Sequence, residues 1–349
     1  MANINRQTEP TIMDQSKVVS QLFDSDLDKI SNSRENSVIF FSTKNTNTLY
    51  GFRYYSSAEK RLQQAWFKWT FSGTVQHHAV LDDALYVIIR DDGKDTMQKI
   101  PIKMETTTNS VTDDRDTVTT TDDITYRIHL DNSKIIPAAD VMYASDGRSK
   151  IFLPDGFNIP RISTDDKYKK LVIYCHQADS TSSSTQAIQD SDLIGSYTTA
   201  SVVGNPGNYN IEWDGDWTGH DIIVGYLFDM EVEFPTIYYT QVGNDTIKSD
   251  QSASLVVHRV KLSFGASGMY TTKLERKGKP TYSETYEPPL ADGYNANQVG
   301  INEQITKQIP VYEKNKNFTL TLTSSHPAPA TLYSMTWEGL YNRPYYKQI

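Results

Sequence analysis

One cysteine, Cys175, stands among 349 residues, which excludes an internal disulfide framework and nearly every thiolate metal site. No apolar run reaches the roughly 18 to 20 residues that a spanning helix needs. Met1 to Pro10 lacks the apolar segment of a secretory signal, so a soluble chain outside the usual secretory route is expected. The signatures GxGxxG, GxxxxGK[ST], HExxH and GxSxG are missing, so no nucleotide-binding or hydrolytic chemistry is announced and no cofactor is expected. Cations are in deficit, 34 Lys and Arg against 43 Asp and Glu for a net charge of −9, which argues against an overall electrostatic grip on nucleic acid. The deficit is uneven: residues 251–349 carry 11 basic and 7 acidic side chains, residues 1–250 carry 23 and 36.

What is abundant points to pleated sheets. Tyr occurs 22 times, Phe 12 and Trp 5, with many Thr, Ser and Asn besides, and these residue types suit strands better than helices. An all-β chain is expected, with no helix longer than about twelve residues after residue 35. Residues 1–35 are polar and without period and read as an N-terminal arm. Residues 36–104 hold six short strands separated by turns, among them Thr48 to Tyr55, Ala65 to Phe71 and Leu85 to Ile89, with a hairpin turn at Asp91-Asp-Gly-Lys94. Four-stranded antiparallel blades of about 40 to 45 residues are the unit of a β-propeller. This stretch therefore supplies partial blades, and a blade alone would leave Phe41, Phe52, Trp66 and Trp69 in water. A small β-sandwich built with downstream strands is the alternative.

Residues 105–221 begin with a Thr/Asp-rich low-complexity stretch and continue as a loop-rich β insertion of short strands, with a Ser/Thr-rich loop over Ala178 to Gln189. Residues 222–349 hold three long amphipathic strands, around Met230 to Phe234, Leu255 to Phe264 and Phe318 to Leu322, expected to form one antiparallel, platform-like sheet with a polar face free for a partner. Strict alternation puts Val256, His258, Val260, Leu262 and Phe264 on one face of the middle strand and Val257, Arg259, Lys261 and Ser263 on the other.

Chemistry-bearing clusters are weak. Cys175 and His176 adjoin, but neighbours along a strand point to opposite faces, so a structural pair is expected rather than a nucleophile and its base. Glu212, Asp214, Asp216 and Asp221 lack the spacing of a calcium loop and read as an Asx-rich turn. The basic run His258-Arg-Val-Lys261 with Lys273 to Lys279 is the one patch able to meet phosphate. It makes Arg259, Lys261, Arg276 and Lys277 candidates for facing DNA or an acidic neighbour. Without interleaved aromatics to read bases, any such DNA contact is blind to sequence. Tyr238, Tyr239, Trp337, Tyr341 and Tyr345 are candidates for subunit contacts, where tyrosine supplies area with a polar tip.

Ser33-Arg-Glu-Asn-Ser-Val-Ile39, Leu49-Tyr-Gly-Phe-Arg-Tyr54, Gln64-Ala-Trp-Phe-Lys-Trp69 and Leu81-Asp-Asp-Ala-Leu-Tyr86, followed by Phe234-Pro-Thr-Ile-Tyr-Tyr239, Phe264-Gly-Ala-Ser-Gly268, Ala291-Asp-Gly-Tyr-Asn-Ala296, Ile309-Pro-Val-Tyr312 and above all Met335-Thr-Trp-Glu-Gly339, resemble the tail nozzle family (tail tubular protein B) of short-tailed podoviruses, its cyanophage members most of all. The resemblance implies a non-enzymatic virion protein, assembled in the host cytoplasm, present as a homo-oligomeric ring of six at the distal end of the tail. That ring would continue and gate the DNA-ejection channel and meet the tail adaptor, tail fibres and the passing genome. Family members are about twice as long, so the chain resembles their C-terminal half. A second nozzle polypeptide that completes the propeller is expected, rather than a truncated product, because Met1 opens a polar arm. The alternative function is an adhesin that holds bacterial glycan through the aromatic loops of residues 178–220.

Overall fold

The computed structural model describes residues 22–23, 26–56, 61–91, 93–102, 110–112, 125–154, 157, 171–178, 193, 195–205, 208–242, 247–250, 254–288 and 304–342. Residues 1–106 and 107–349 form separate compact units. The first unit holds β1 (Leu27–Ser33), β2 (Val38–Thr43), β3 (Thr48–Ser56), β4 (Arg61–Thr70), β5 (Thr74–Leu81), β6 (Ala84–Asp91) and β7 (Lys94–Pro101). The second holds β8 (Ser110–Thr112), β9 (Thr125–Arg127), β10 (Asp131–Ile136), β11 (Met142–Tyr143), β12 (Arg148–Phe152), β13 (Leu171–Ala178), β14 (Tyr197–Thr199), β15 (Ser201–Asn205), β16 (Asn208–Asp214), β17 (His220–Tyr226), β18 (Met230–Glu233), β19 (Tyr239–Val242), β20 (Ile247–Asp250), β21 (Ser254–Ser267), β22 (Tyr270–Arg276), β23 (Tyr282–Tyr286), β24 (Ile305–Lys314), β25 (Phe318–Ser324) and β26 (Ala330–Asn342). The chain is all-β, and the strand pairs described are antiparallel.

In the first unit β1 to β4 form a four-stranded meander and β5 to β7 a three-stranded one. The β6–β7 hairpin closes between Asp91 and Lys94 with Gly93 at φ +78°, a conformation glycine adopts without a steric penalty. Val38, Phe40 and Leu49 pack against Leu85, Val87 and Ile89. Leu27–Ser33 lies inside the stretch expected to be an arm, yet it pairs with β2 from Leu27 opposite Thr43 to Ser33 opposite Val38. Its inward residues are polar, so no hydrophobic period betrays it: Lys29 Nζ donates to the Gln76 carbonyl at 2.6 Å and Ser31 Oγ lies 2.6 Å from His78 Nδ1.

The opposite face of the first meander is aromatic, with Tyr50 and Phe52 0% and 5% exposed. Of the four rings expected to be left in water, Phe52 is buried, while Phe41, Trp66 and Trp69 are half-buried. The Phe23 ring lies 5.0 Å from Tyr50 and 5.1 Å from Trp66, and Trp66 stands 4.7 Å from Phe52.

The second unit contains two β-sandwiches. In one, the sheet β10-β17-β13-β14 faces the sheet β11-β12-β16-β15 across Ile151, Ile173, Ile211, Trp213, Ile222 and Val224. Residues 222–226, expected to open the C-terminal platform, are part of β17, held between β10 and β13. A continuous apolar run such as Ile222-Ile-Val224 is buried on both faces and carries no period that tells which sheet it joins. In the other sandwich, β18-β25-β22-β23 faces β24-β21-β26 across Val257, Val260, Leu262, Phe264, Leu274 and Leu320. The three amphipathic strands expected in one sheet are thus divided: β18 and β25 pair with each other, and β21 lies in the facing sheet. Alternation fixes which side of a strand is buried, not which strand it pairs with.

Candidate functional site

With its apolar side chains turned inward, the C-terminal sandwich shows two outer faces of different chemistry. The face of β24-β21-β26 is shaped by a bulge at His258, the residue left over between Val257 and Arg259 where they pair with Gly339 and Glu338 of β26. The extra residue breaks strict alternation. Leu255 and Val257 are therefore core residues, 1% and 0% exposed, and the inward series resumes at Val260, whereas alternation alone had placed Val256 and His258 inside. Arg259 and Lys261 point outward, and both grip Glu338 of β26, with Arg259 Nε to Oε2 at 2.9 Å and Lys261 Nζ to Oε1 at 2.7 Å. The Lys261 hydrogen bond, then the Arg259 charge, holds the Glu338 carboxyl below the usual range. Lys314 joins this face opposite Val256.

Two tyrosines stand on the same face. Tyr312, at φ +46°, stacks on His258 with ring centroids 5.7 Å apart. Tyr333 lies across Gly265, where a Cβ would come within 2.2 Å of its Cζ. They remain 62% and 72% exposed. No sequence pattern marks either, because each depends on a cross-strand register between distant segments.

The face of β18-β25-β22-β23 is acidic and rich in hydroxyls. One row across the sheet reads Glu231, Thr323, Thr271, Thr285, and the next reads Glu233, Thr321, Lys273, Ser283. Lys273 pairs with Glu275 at 2.7 Å, and that hydrogen bond, with Glu231 adding to it, raises the lysine pKa. The first row ends in a cleft of about 450 Å³ that Asp229, Tyr197 and His326 also line.

The structure separates the remaining candidates. Arg276 leaves the outer surfaces and donates from Nη1 to the Val311 carbonyl at 3.4 Å, joining the two sheets at the sandwich end. Lys277 is exposed in the turn after β22, its amide bonded to the Asn317 carbonyl. The single basic patch expected from the sequence is thus divided among both sheet faces, Lys273 lying on the acidic one, and the end of the sandwich. Trp337 and Tyr341 pack against the core, Tyr341 stacks on Tyr239 at 4.0 Å, and Tyr238 is half-buried. Tyr345 lies outside the described residues, as do the His176 side chain and most of the Ser/Thr-rich loop.

The other chemistry-bearing residues have structural partners. Cys175 is buried opposite Ile222, and burial, then the Asp221 charge, pushes its thiol pKa up, away from the thiolate a nucleophile needs. Arg148 spans Glu212 and Asp214, both at 3.2 Å. Asp216 Oδ1 accepts from the Thr218 amide and hydroxyl, an Asx turn, and Asp221 accepts from the Ala138 amide. Trp213 and Trp217, the tryptophans of the stretch assigned to a glycan-holding loop, are 1% and 5% exposed and meet edge to face at 6.2 Å, so neither presents a ring to a sugar.

A family model for a bacteriophage nozzle protein matches residues 1–348, nearly the whole chain. No curated protein matches it.

Proposed function

The chain belongs to the bacteriophage nozzle protein family, and from that premise we propose that this structural tail protein forms the distal nozzle of a short tail, a ring that continues and closes the channel through which the genome leaves. The family match over nearly the full length carries this reading. The ring has six copies, is of the cyanophage kind, and is built in the host cytoplasm. Residues 36–104, extended back to the start of β1, act as a propeller blade segment, and the four-stranded meander β1 to β4 has the strand order of one blade. Residues 105–221, extended to the end of β17, are the insertion at the nozzle tip; the residues after it are the platform, and residues before β1 are the arm. A second nozzle polypeptide, the tail adaptor and the tail fibres are its neighbours. With Tyr50 and Phe52 already buried, the second polypeptide serves to pair strands such as β4 and β7, which lie at sheet edges among the described residues, rather than to cover wet rings.

The role is non-enzymatic, which agrees with a cysteine held as the thiol and with carboxylates engaged by Arg148 and by backbone amides. Arg259, Lys261 and the tyrosines of the C-terminal sandwich serve subunit contacts. The net charge of −9 keeps passing DNA from adhering. Electron microscopy of purified virions, with the chain traced in the tail, tests the reading. Density for a ring of this chain around the channel is expected; its absence from the virion, or its position in the capsid shell, overturns the proposal.

A further inference from the structure

The two outer faces of the C-terminal sandwich are complementary to each other, and we propose that they dock head to tail, the basic, tyrosine-bearing face of β24-β21-β26 in one copy against the acidic, threonine-lined face of β18-β25-β22-β23 in the next. The partner is a second copy of this chain. Charge carries the argument: among the described residues the first face has three cations, Arg259, Lys261 and Lys314, to one carboxylate, Glu338, and the second has three carboxylates, Glu231, Glu233 and Glu275, to one cation, Lys273. Opposite potentials across an interface favour encounter and fix register. Relief matches as well. Short threonine side chains line the inner strand β25 of the acidic face, whereas Tyr312 and Tyr333 stand 62% and 72% exposed on the basic one, and tyrosine is a residue type that interfaces favour. The cleft beside Glu231, with Asp229 in its wall, is a socket for a cationic side chain of the neighbour.

Because the faces differ, the contact is heterologous, and repeating it closes a ring when the rotation fits. The inference deepens the nozzle reading and rests on it for the ring, but it names the surfaces that meet. Reversing Glu231→Lys with Glu233→Lys, or Lys261→Glu with Lys314→Glu, in the full chain is expected to weaken self-association at low salt by about tenfold or more, read by sedimentation velocity. The chain carrying all four changes regains it, since reversed faces are again opposite. On the unaltered chain, a mixture of isotopically light and heavy copies treated with carbodiimide is expected to give amide cross-links between copies that join Lys261 or Lys314 to Glu231, Glu233 or Asp229. Cross-links between other surfaces, a wild-type chain that stays monomeric at low salt, failure of the four-fold variant to reassociate, or a Lys261→Glu effect confined to DNA binding would each overturn the inference. A ring seen in virions with other faces in contact removes this inference and leaves the nozzle reading; absence from virions removes the nozzle reading whatever the cross-links show.

Discussion

His78 is held between two hydroxyls in the seam of the first unit, with Nδ1 2.6 Å from Ser31 Oγ and Nε2 3.1 Å from Ser42 Oγ. Burial, then the charge of neighbouring His77, lowers its pKa from 6.5 to about 4. The folded state therefore favours the neutral ring, and the unfolded chain binds more protons between those two values. Stability from this group is complete above pH 6.5, declines as pH falls toward about 4 and is level below that. Urea unfolding of the first unit at stepped pH is expected to show that decline, and His78→Gln to flatten it; a wild-type curve with no slope in this window would contradict the account. Glycines give a second residue-scale test. A Cβ at Gly265 meets the Tyr333 ring at 2.2 Å, and a Cβ at Gly339 meets the Val256 carbonyl oxygen at the same distance. The exposed ring can swing away, whereas the backbone oxygen belongs to the β21–β26 ladder. Gly265→Ala is expected to be nearly neutral in thermal melts and Gly339→Ala to cost about 2 kcal/mol or more.

At the scale of elements, β21 shows what the sequence discloses and where it stops. Its amphipathic pattern is legible from Leu255 to Phe264, as are those of β18 and β25, because a half-buried strand alternates. The bulge at His258 is not legible: one inserted residue shifts the pattern before it, and nothing in the residue types marks it. Pairing is hidden for a related reason. Arg259 and Lys261 were identifiable as outward-facing cations, but Glu338, which both engage, lies on β26, 79 and 77 residues further on, and only the register brings it there. β1 was missed because Lys29, Ser31 and Ser33 face inward, so hydrogen bonds replace the apolar period. Leu262, at the centre of β21, is 0% exposed with both sheets around it. Leu262→Ala is expected to cost about 2 to 5 kcal/mol in urea unfolding, and the less buried Leu332 of β26 to cost distinctly less when truncated in the same way; equal losses would argue that the sandwich core is not centred on β21.

At the scale of the molecule, residues 1–106 and 107–349 each fold around their own apolar centres, and those centres are unequal. The first unit buries Val38, Phe40, Leu49 and the apolar side chains of β6 in one cluster, with Tyr50 and Phe52 buried on the other face of the meander, beside a seam whose groups are polar. The second has two larger clusters, one of them containing Trp213 and Trp217 and the other running the length of β21. Hydrophobic stabilisation grows with the apolar area removed from water, and polar seams add little net stability per bond. The smaller unit is therefore the weaker, and opening need not be a single cooperative step in a chain of this size. Native-state hydrogen exchange in rising urea is expected to release the amides of β5 and β6 at a lower denaturant concentration than those of β17 and β21. Simultaneous release of all four strands would mean that the two units unfold as one, and the separate accounting of their cores would be wrong.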